Sequence, residues 1–205
     1  MLSELKITEF LSRTASSDPV PGGGSVSALG AAMAAALSEM VASITIGKKG
    51  FEAYEKEMLE IVQNARSLRT KLSEDIDRDS DAYSQVLKAY RLPNDTEEKK
   101  NERSQAIQDG LKQAALIPLG VAKDAFKLLD MAEKAVARGN KNAVTDAAVA
   151  AMMARTAILG ALLNAKINLK SIKDLSFVKD VMGQVKEIES RVEPKEKNIL
   201  DQIDV

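Results

Sequence analysis

Apolar residues recur along this 205-residue chain at the three- and four-residue spacing of one helix face. The longest uninterrupted example covers residues 51–92, which contain neither proline nor glycine. We therefore predict one long helix there. Neither an alternating strand pattern nor an internal repeat is present. The apolar seam of the predicted helix consists of Met58, Ile61, Val62, Ala65, Leu68 and Leu72.

Proline and capping residues divide the rest of the chain into further helices. Thr96 is the expected N-cap of a helix that runs to about Ile117, where Pro118 should break or kink it before it resumes over residues 119–137. Pro194 should open a last helix over 194–203. We predict an all-α fold, a bundle of long antiparallel helices in a single domain over residues 1–205, with 175–205 as a helical tail. The other predicted helices cover residues 3–14, 25–47, 140–164 and 172–192.

Residues 26–46 are mostly apolar, as in a central helix or a membrane span. They are rich in alanine rather than leucine and contain three serines and Glu39, so we predict a buried helix and no membrane partner. Glu39 is expected where the helix reaches solvent, because carboxylates are rarely fully buried. The small side chains predict a tight core or a self-association face. The N-terminus does not resemble a signal peptide, so we expect a cytoplasmic protein.

The composition excludes several classes of chemistry. Lysine and arginine total 29 against 30 acidic residues, and only 3% of residues are aromatic, so nothing points to a nucleic-acid partner. The chain contains no cysteine and no histidine, which removes thiolate nucleophiles, Ser-His triads and the usual zinc ligands. Any acid–base chemistry must therefore use Asp, Glu, Lys, Tyr or the substrate itself.

Residues 18–25, Asp-Pro-Val-Pro-Gly-Gly-Gly-Ser, interrupt the helical pattern. The prolines stiffen the approach, and the glycines let a ligand come close to the main chain. With Ser25 as N-cap of the next helix, free N–H groups at its positive end should form a site for an anion or a carbonyl oxygen. The Gly-Lys-Ser/Thr of a P-loop does not follow. The alternative is a turn that lets two helices pack closely.

Five carboxylates lie within residues 74–81 of the long predicted helix. Asp75 and Asp79 are four residues apart and both fall on the apolar seam, so one of them should face inward while the other carboxylates form a solvated face. The cluster lacks the glycine and the terminal glutamate of a calcium loop. We predict no metal site.

Polar residues mark two other predicted helix ends. Lys48 and Lys49 follow the helix over 25–47, where they either cap its negative end or accept an anionic part of a substrate. Asn140 and Asn142 precede Asp146 in or near the first turn of another helix. An acid there is either a favourable partner of the helix dipole or a catalytic group.

Several segments occur together in a recognisable order. They are Pro19–Ser25 before an Ala-rich helix, Asp79 with Ala82-Tyr83, Leu92-Pro93, the segment from Arg103 to Pro118, Gly139–Asn142 with Asp146, and Asn164–Asn168. This set resembles the cyclodeaminase/cyclohydrolase family of folate enzymes, which includes the C-terminal domain of formiminotransferase-cyclodeaminase and stand-alone bacterial proteins. The resemblance covers about residues 5–175. It departs at Ala165-Lys166, where many relatives have Asn followed by Val, and at Thr145, where Ser is usual.

The resemblance implies a homodimeric, all-helical enzyme of one-carbon metabolism and histidine degradation. Its substrate would be a tetrahydrofolate derivative, and no cofactor would be tightly bound. In a cyclodeaminase, N10 of 5-formiminotetrahydrofolate attacks the formimino carbon, ammonia leaves and 5,10-methenyltetrahydrofolate forms. In a cyclohydrolase, water opens the methenyl ring to give 10-formyltetrahydrofolate.

Under this hypothesis, Asp79 is our first choice for the carboxylate that takes a proton from N10 and delivers one to the departing amine, and Asp146 is the second. The predicted substrate-binding residues are Pro21, Gly22, Gly23, Gly24 and Ser25 in the loop, Asn140, Asn142 and Asn168 through their amides, and Lys48, Lys49 and Arg103 for the glutamate tail.

Three interpretations remain open at this point. A formiminotetrahydrofolate cyclodeaminase is the leading one, a methenyltetrahydrofolate cyclohydrolase needs the same pocket, and a non-catalytic helical scaffold would also explain the long helices. A single site of the kind proposed requires Asp79, Asp146 and the glycine loop to converge on one cleft.

Overall fold

Six α-helices build the part of the chain, residues 1–204, that the computed structural model describes. They are α1 (Ile7–Thr14), α2 (Gly23–Thr45), α3 (Glu55–Tyr90), α4 (Glu97–Arg138), α5 (Val144–Leu169) and α6 (Leu175–Leu200). Short 3-10 turns occur at Leu2–Glu4, Glu52–Tyr54 and Lys141–Ala143, and no strand occurs within residues 1–204. The all-α prediction is confirmed, and the long helix over residues 51–92 is present with its first turn in the 3-10 form.

Neighbouring helices of the bundle run antiparallel. On α2 and α3, Ser25 contacts Asp79, and Glu39 pairs with Arg66 and Arg69. Glu39 therefore reaches the solvent-accessible side of α2, as expected, where two guanidinium groups neutralise it. Between α2 and α5, Gly23 lies beside Asn164 at one end of the pair, and Asn140, just before α5, donates its backbone N–H to Thr45 at the other.

Small residues bring α2 and α5 close together. Gly30 lies against Ala157, and a side-chain carbon on Gly160 would come within 2.5 Å of the Ser27 hydroxyl oxygen. Ala28, Ala31 and Ala35 on α2 are fully buried. Helices with such short side chains approach closely, because little separates their backbones. The predicted tight Ala-rich core is therefore present.

Pro118 does not interrupt α4, which contradicts the expected break. Proline cannot donate the N–H bond to the carbonyl four residues earlier, here that of Ala114. The side-chain amide of Asn168 on α5 donates to this carbonyl at 2.9 Å. A tertiary hydrogen bond thus replaces the missing helical one, and the buried proline packs within a continuous helix.

The C-terminal part of the chain also differs from the prediction. The fifth helix continues past residue 164 to Leu169, and α6 is one helix from Leu175 to Leu200 rather than two. Pro194 lies inside α6 at an exposed position, and Ser190, whose carbonyl it leaves free, is exposed as well. Exposure makes the lost hydrogen bond tolerable, and the buried stripe of Val181, Val185, Val192 and Ile199 spans the proline.

The outward faces of α2 and α5 carry an exposed apolar surface. On α2 it consists of Val26, Met33, Met40 and Ile44, and on α5 of Val149, Met152, Leu163 and Ile167. These two helices are also long and apolar enough to cross a membrane by length and composition alone, with half of each apolar window buried in the fold. We call these eight residues the apolar face.

Candidate active site

The start of α2 packs directly on the carboxylate of Asp79, which projects from the C-terminal half of α3. The Ser25 hydroxyl donates to Asp79 Oδ2 at 3.0 Å. Gly22, not Ser25, is the N-cap of α2, so the predicted capping role of Ser25 is wrong. The first N–H groups of a helix have no acceptor within that helix. Here the backbone N–H of Ser25 hydrogen-bonds to Asp79 on α3.

Two glycines at the start of α2 allow close contacts with α3 and α5. A side-chain carbon on Gly24 would lie 2.1 Å from Asp79 Oδ1, and one on Gly23 would lie 3.1 Å from Asn164 Nδ2. Carbon and oxygen atoms that are not bonded cannot approach to 2.1 Å, so a side chain at position 24 would force the Asp79 carboxylate out of its place. The sequence predicted that the glycines let a ligand approach the main chain closely. At Gly24 the group that approaches closely is the carboxylate of Asp79 instead.

The environment of Asp79 favours its protonated form. Burial raises the pKa of this carboxyl above its usual range, and the charge of Asp75, one turn earlier on α3, raises it further. Hydrogen bonds from the hydroxyl and the backbone N–H of Ser25 act in the opposite direction and do not reverse the shift. A half-buried carboxyl with a raised pKa can hold a proton and release it, as a general acid–base group requires.

Asp75 also faces inward, so both carboxylates on the apolar seam are drawn into the fold. Asp75 is 1% exposed and pairs with Lys71 at 3.0 Å and with Arg78. Lys71 also pairs with the buried Asp124 on α4 at 2.7 Å. Asp75 is therefore bound by cations in a structural network, whereas the hydrogen bonds to Asp79 come from Ser25 alone.

The second predicted carboxylate lies at the opposite end of the bundle. Asp146 is in the first turn of α5, near the contact between Asn140 and Thr45. Asn164, beside the glycine loop, is eighteen residues further along the same helix, which corresponds to about 27 Å. Within one chain, Asp79 and Asp146 do not share a cleft, and the expected convergence in a single chain is wrong.

The other predicted residues divide between these two ends. The glycine loop and Asn168 lie at the Asp79 end, where Asn168 already donates to the carbonyls of Ala114 and Asn164. Asn140, Asn142, Lys48 and Lys49 lie at the Asp146 end. There the Asn140 side chain accepts from the Asn142 N–H at 3.1 Å, which stabilises the turn before α5.

Arg103 lies beyond Asp79 at the end where α3 stops and α4 begins. It donates from Nη2 to the Tyr90 carbonyl at 2.9 Å, and its Nε is buried without a hydrogen-bond partner among the described residues. Arg103 lines a cavity of about 360 Å³ together with Tyr90, Lys100 and Lys173. Another cavity of about 480 Å³, between α3 and α4, is lined by Gln85, Lys88, Asp109 and their neighbours, and Asp79 is not among its lining residues.

Two residues that contact this end of the bundle were not among the predicted site residues. Asn164 lies against Gly23, and Asp77 binds the N-terminal turn. Asn164 has the signal of four-residue spacing to Asn168 on one helix face. Asp77 has no such signal. Its spacing within the acidic cluster does not distinguish a carboxylate that binds another segment from one that is only solvated.

The chain is an all-α protein in which a half-buried carboxyl with a raised pKa lies against a helix start, and its sequence contains neither histidine nor cysteine. The family model of formiminotransferase-cyclodeaminase matches residues 6–187. The chain belongs to this family, whose members are folate one-carbon enzymes. The family resemblance inferred from the sequence is confirmed, and an enzyme rather than a helical scaffold is supported.

Relatives of both activities are similar to this chain. It is 37% identical to a methenyltetrahydrofolate cyclohydrolase of Methylorubrum extorquens, over 89% of this chain and 86% of the relative. It is 33% identical to formimidoyltransferase-cyclodeaminase of Sus scrofa, over 95% of this chain but only 36% of that longer protein. A crystal structure of formiminotetrahydrofolate cyclodeaminase from Thermotoga maritima aligns with a TM-score of 0.89 at 34% identity, covering 98% of this chain and 97% of that one.

Gly24→Ala should destabilise the protein by about 1–3 kcal/mol, because the new methyl group overlaps the Asp79 carboxylate. Urea unfolding measures this loss. The matched control is Gly120→Ala on α4, where a side-chain carbon meets no atom within 4 Å and helix propensity predicts a small gain. In an Asp79→Ala background the cost of Gly24→Ala should largely disappear; an undiminished cost would show that the carboxylate is not what excludes a side chain.

Proposed function

We propose that this chain is a formiminotetrahydrofolate cyclodeaminase that forms 5,10-methenyltetrahydrofolate and ammonia. The observation that carries the proposal is the half-buried Asp79 carboxyl, with its raised pKa, held against the glycine start of α2. The chain also matches a cyclodeaminase from Thermotoga maritima along nearly its full length. We propose further that it acts in the cytoplasm, with no nucleic-acid or membrane partner and no tightly bound cofactor.

In this mechanism Asp79 moves a proton between two nitrogens of the substrate. N10 attacks the carbon of the formimino group, which is protonated as an amidinium cation, and the carboxylate accepts the proton that N10 loses. The carboxyl then returns a proton to the amino group on the tetrahedral carbon, the carbon–nitrogen bond breaks, and ammonia leaves. The product cation gains electrostatic stabilisation from the ionised carboxylate that remains. A raised pKa suits this cycle, because the group must be a competent acid as well as a base near neutral pH.

The cavity around Arg103 suits the anionic end of the substrate. Tyr90 is eleven residues beyond Asp79 on α3, about 16 Å along the helix. The cavity carries three cations, Lys100, Arg103 and Lys173, and the buried Arg103 Nε is a donor that lacks a protein acceptor. We propose that Arg103 binds a carboxylate of the glutamate tail, while the loop residues Pro21–Ser25 line the approach of the reacting end to Asp79.

We propose that the enzyme is a homodimer that pairs the two ends of the bundle across its interface. The apolar face on α2 and α5 is an exposed patch of the kind that a second copy covers. A two-fold axis lying across the helices sets each α2 antiparallel to its counterpart. The Asp79 end of one protomer then meets the Asp146 end of its partner. Asp146, Asn140, Asn142, Lys48 and Lys49 would thereby serve the partner's site.

A methenyltetrahydrofolate cyclohydrolase is the second candidate. It is favoured by the 37% identity to a stand-alone cyclohydrolase that is matched over 86% of its length. The same carboxyl at Asp79 would act as base toward water instead of N10. The two activities differ in the leaving group, so only the reaction itself separates them.

An absorbance assay for methenyltetrahydrofolate with each substrate tests the proposal. With 5-formiminotetrahydrofolate we expect methenyltetrahydrofolate to accumulate with an equal amount of ammonia. Ring opening of methenyltetrahydrofolate without any deaminase turnover would decide for the cyclohydrolase. Absence of both reactions would refute the proposed function.

Asp79→Asn should lower turnover at least 100-fold, because the amide keeps the shape of the side chain but cannot carry the proton. The variant should be as stable as the wild type or more so at pH 7. Folding raises the pKa of Asp79, so the wild type loses stability as pH rises from about 3.9 through the folded-state value, and the amide escapes this loss. Urea unfolding at pH 7 and at pH 3 measures the difference, which should vanish at the lower pH. An active Asp79→Asn enzyme would remove the carboxyl from the mechanism.

Mixing two inactive variants tests the shared site. Asp79→Asn and Asp146→Asn should each be inactive, yet their heterodimer contains one site with both carboxylates intact. Random exchange of subunits should restore about a quarter of wild-type activity. Met33→Glu, at the centre of the apolar face, should give monomers in sedimentation analysis and abolish the recovery, whereas the exposed Leu59→Glu on α3 should not. A mixture that stays inactive while subunits exchange would rule out a site shared in this way.

A further inference from the structure

The N-terminal segment is tied to α3 at both ends by two carboxylates only two residues apart. At its beginning, the Leu2 N–H, the Ser3 N–H and the Ser3 hydroxyl all donate to the carboxylate of Asp77. At its end, Ser25 donates to Asp79. Residues 2–22 therefore connect two different sides of the same turn of α3, and we call them the N-terminal strap.

Between these ties the strap is held by a small set of apolar residues: Leu2 and Leu5 pack against the core, and Phe10 and Pro21 are buried. Its helix α1 buries only Phe10, which joins the core cluster that includes Leu72 and Ile76. Ile7 and Leu11, on the same helix, are 79% and 58% exposed. A short helix with one buried residue is a weakly held element, so the hydrogen bonds at Asp77 add to the few apolar contacts that attach the strap.

Asp77 is a strong acceptor at this position. Burial disfavours its charge, but the hydrogen bonds from Ser3 and Leu2 outweigh burial and hold the pKa of the carboxyl below its usual range. It therefore remains ionised at neutral pH, and hydrogen bonds to an ionised acceptor are about twice as strong as neutral ones. The strap is thus closed by a charge-assisted contact.

We infer that Asp77 is a positioning residue for the carboxyl of Asp79, an inference that rests on the proposed function. Residues 77 and 79 belong to the same helix turn, so their side chains keep a fixed distance. The two ties therefore hold the strap and the first turn of α2 in a fixed position relative to each other. A closed strap keeps Gly24 and Ser25 pressed on Asp79 and keeps water away from it. An open strap loosens the first turn of α2 and disturbs the proton transfer, although Asp77 touches no substrate.

Asp77→Ala tests the inference, because alanine keeps the helix and removes every acceptor. We expect kcat to fall about tenfold with less than a twofold change in KM, since a small displacement of a reacting group lowers the rate more than it lowers binding. Hydrogen–deuterium exchange should accelerate at the amides of residues 2–10 and also at those of 23–27. Ser3→Ala, which loses one of three donors, should change both readouts in the same direction and by less.

Glu74→Ala is the matched control, because Glu74 is an exposed carboxylate on the same helix. It should leave kcat and both sets of exchange rates unchanged. The inference is overturned if Asp77→Ala accelerates exchange only in residues 2–10 and leaves kcat and residues 23–27 as in the wild type. Should Asp77→Ala not fold, the same comparison with Ser3→Ala decides. Wild-type turnover in the same assay separates this outcome from a failure of the proposed function, and the exchange at 23–27 is read without any activity.

Discussion

The carboxylate of Asp79, enclosed at the start of the central helix α2, is the constraint on which much of this structure depends. A buried carboxyl needs donors within reach, and Ser25 supplies two of them. The donors approach closely enough only because Gly24 has no side chain. Burial also raises the pKa of Asp79, and this is the reason that we propose its carboxyl as the proton carrier.

Polar side chains on α5 show how structural and functional demands meet in one region. Asn168 was expected at the substrate, yet its amide satisfies the Ala114 carbonyl that Pro118 leaves free in α4. Asn164 supports Gly23 from the same helix face. Both residues hold the framework around Asp79. Their side chains therefore serve the site by fixing the helices that form it.

Small residues in α2 and α5 have two consequences. On the inward side they let helices approach until alanines fill the core. On the outward side the same helices expose methionine, leucine, isoleucine and valine side chains to solvent. Central helices that are apolar on both sides leave an apolar surface exposed to solvent. We propose that a second copy of the chain covers it.

The sequence by itself determined the class of fold and the family. Helical periodicity, the absence of strand pattern and the order of the family segments depend on local spacing, which sequence records directly. Whether Pro118 breaks a helix depended on an amide 50 residues away, and the partner of Ser25 was 54 residues away. Only the tertiary structure decided these points, together with the separation of Asp79 from Asp146, because the direction in which helices pack is not encoded in the spacing along any one of them.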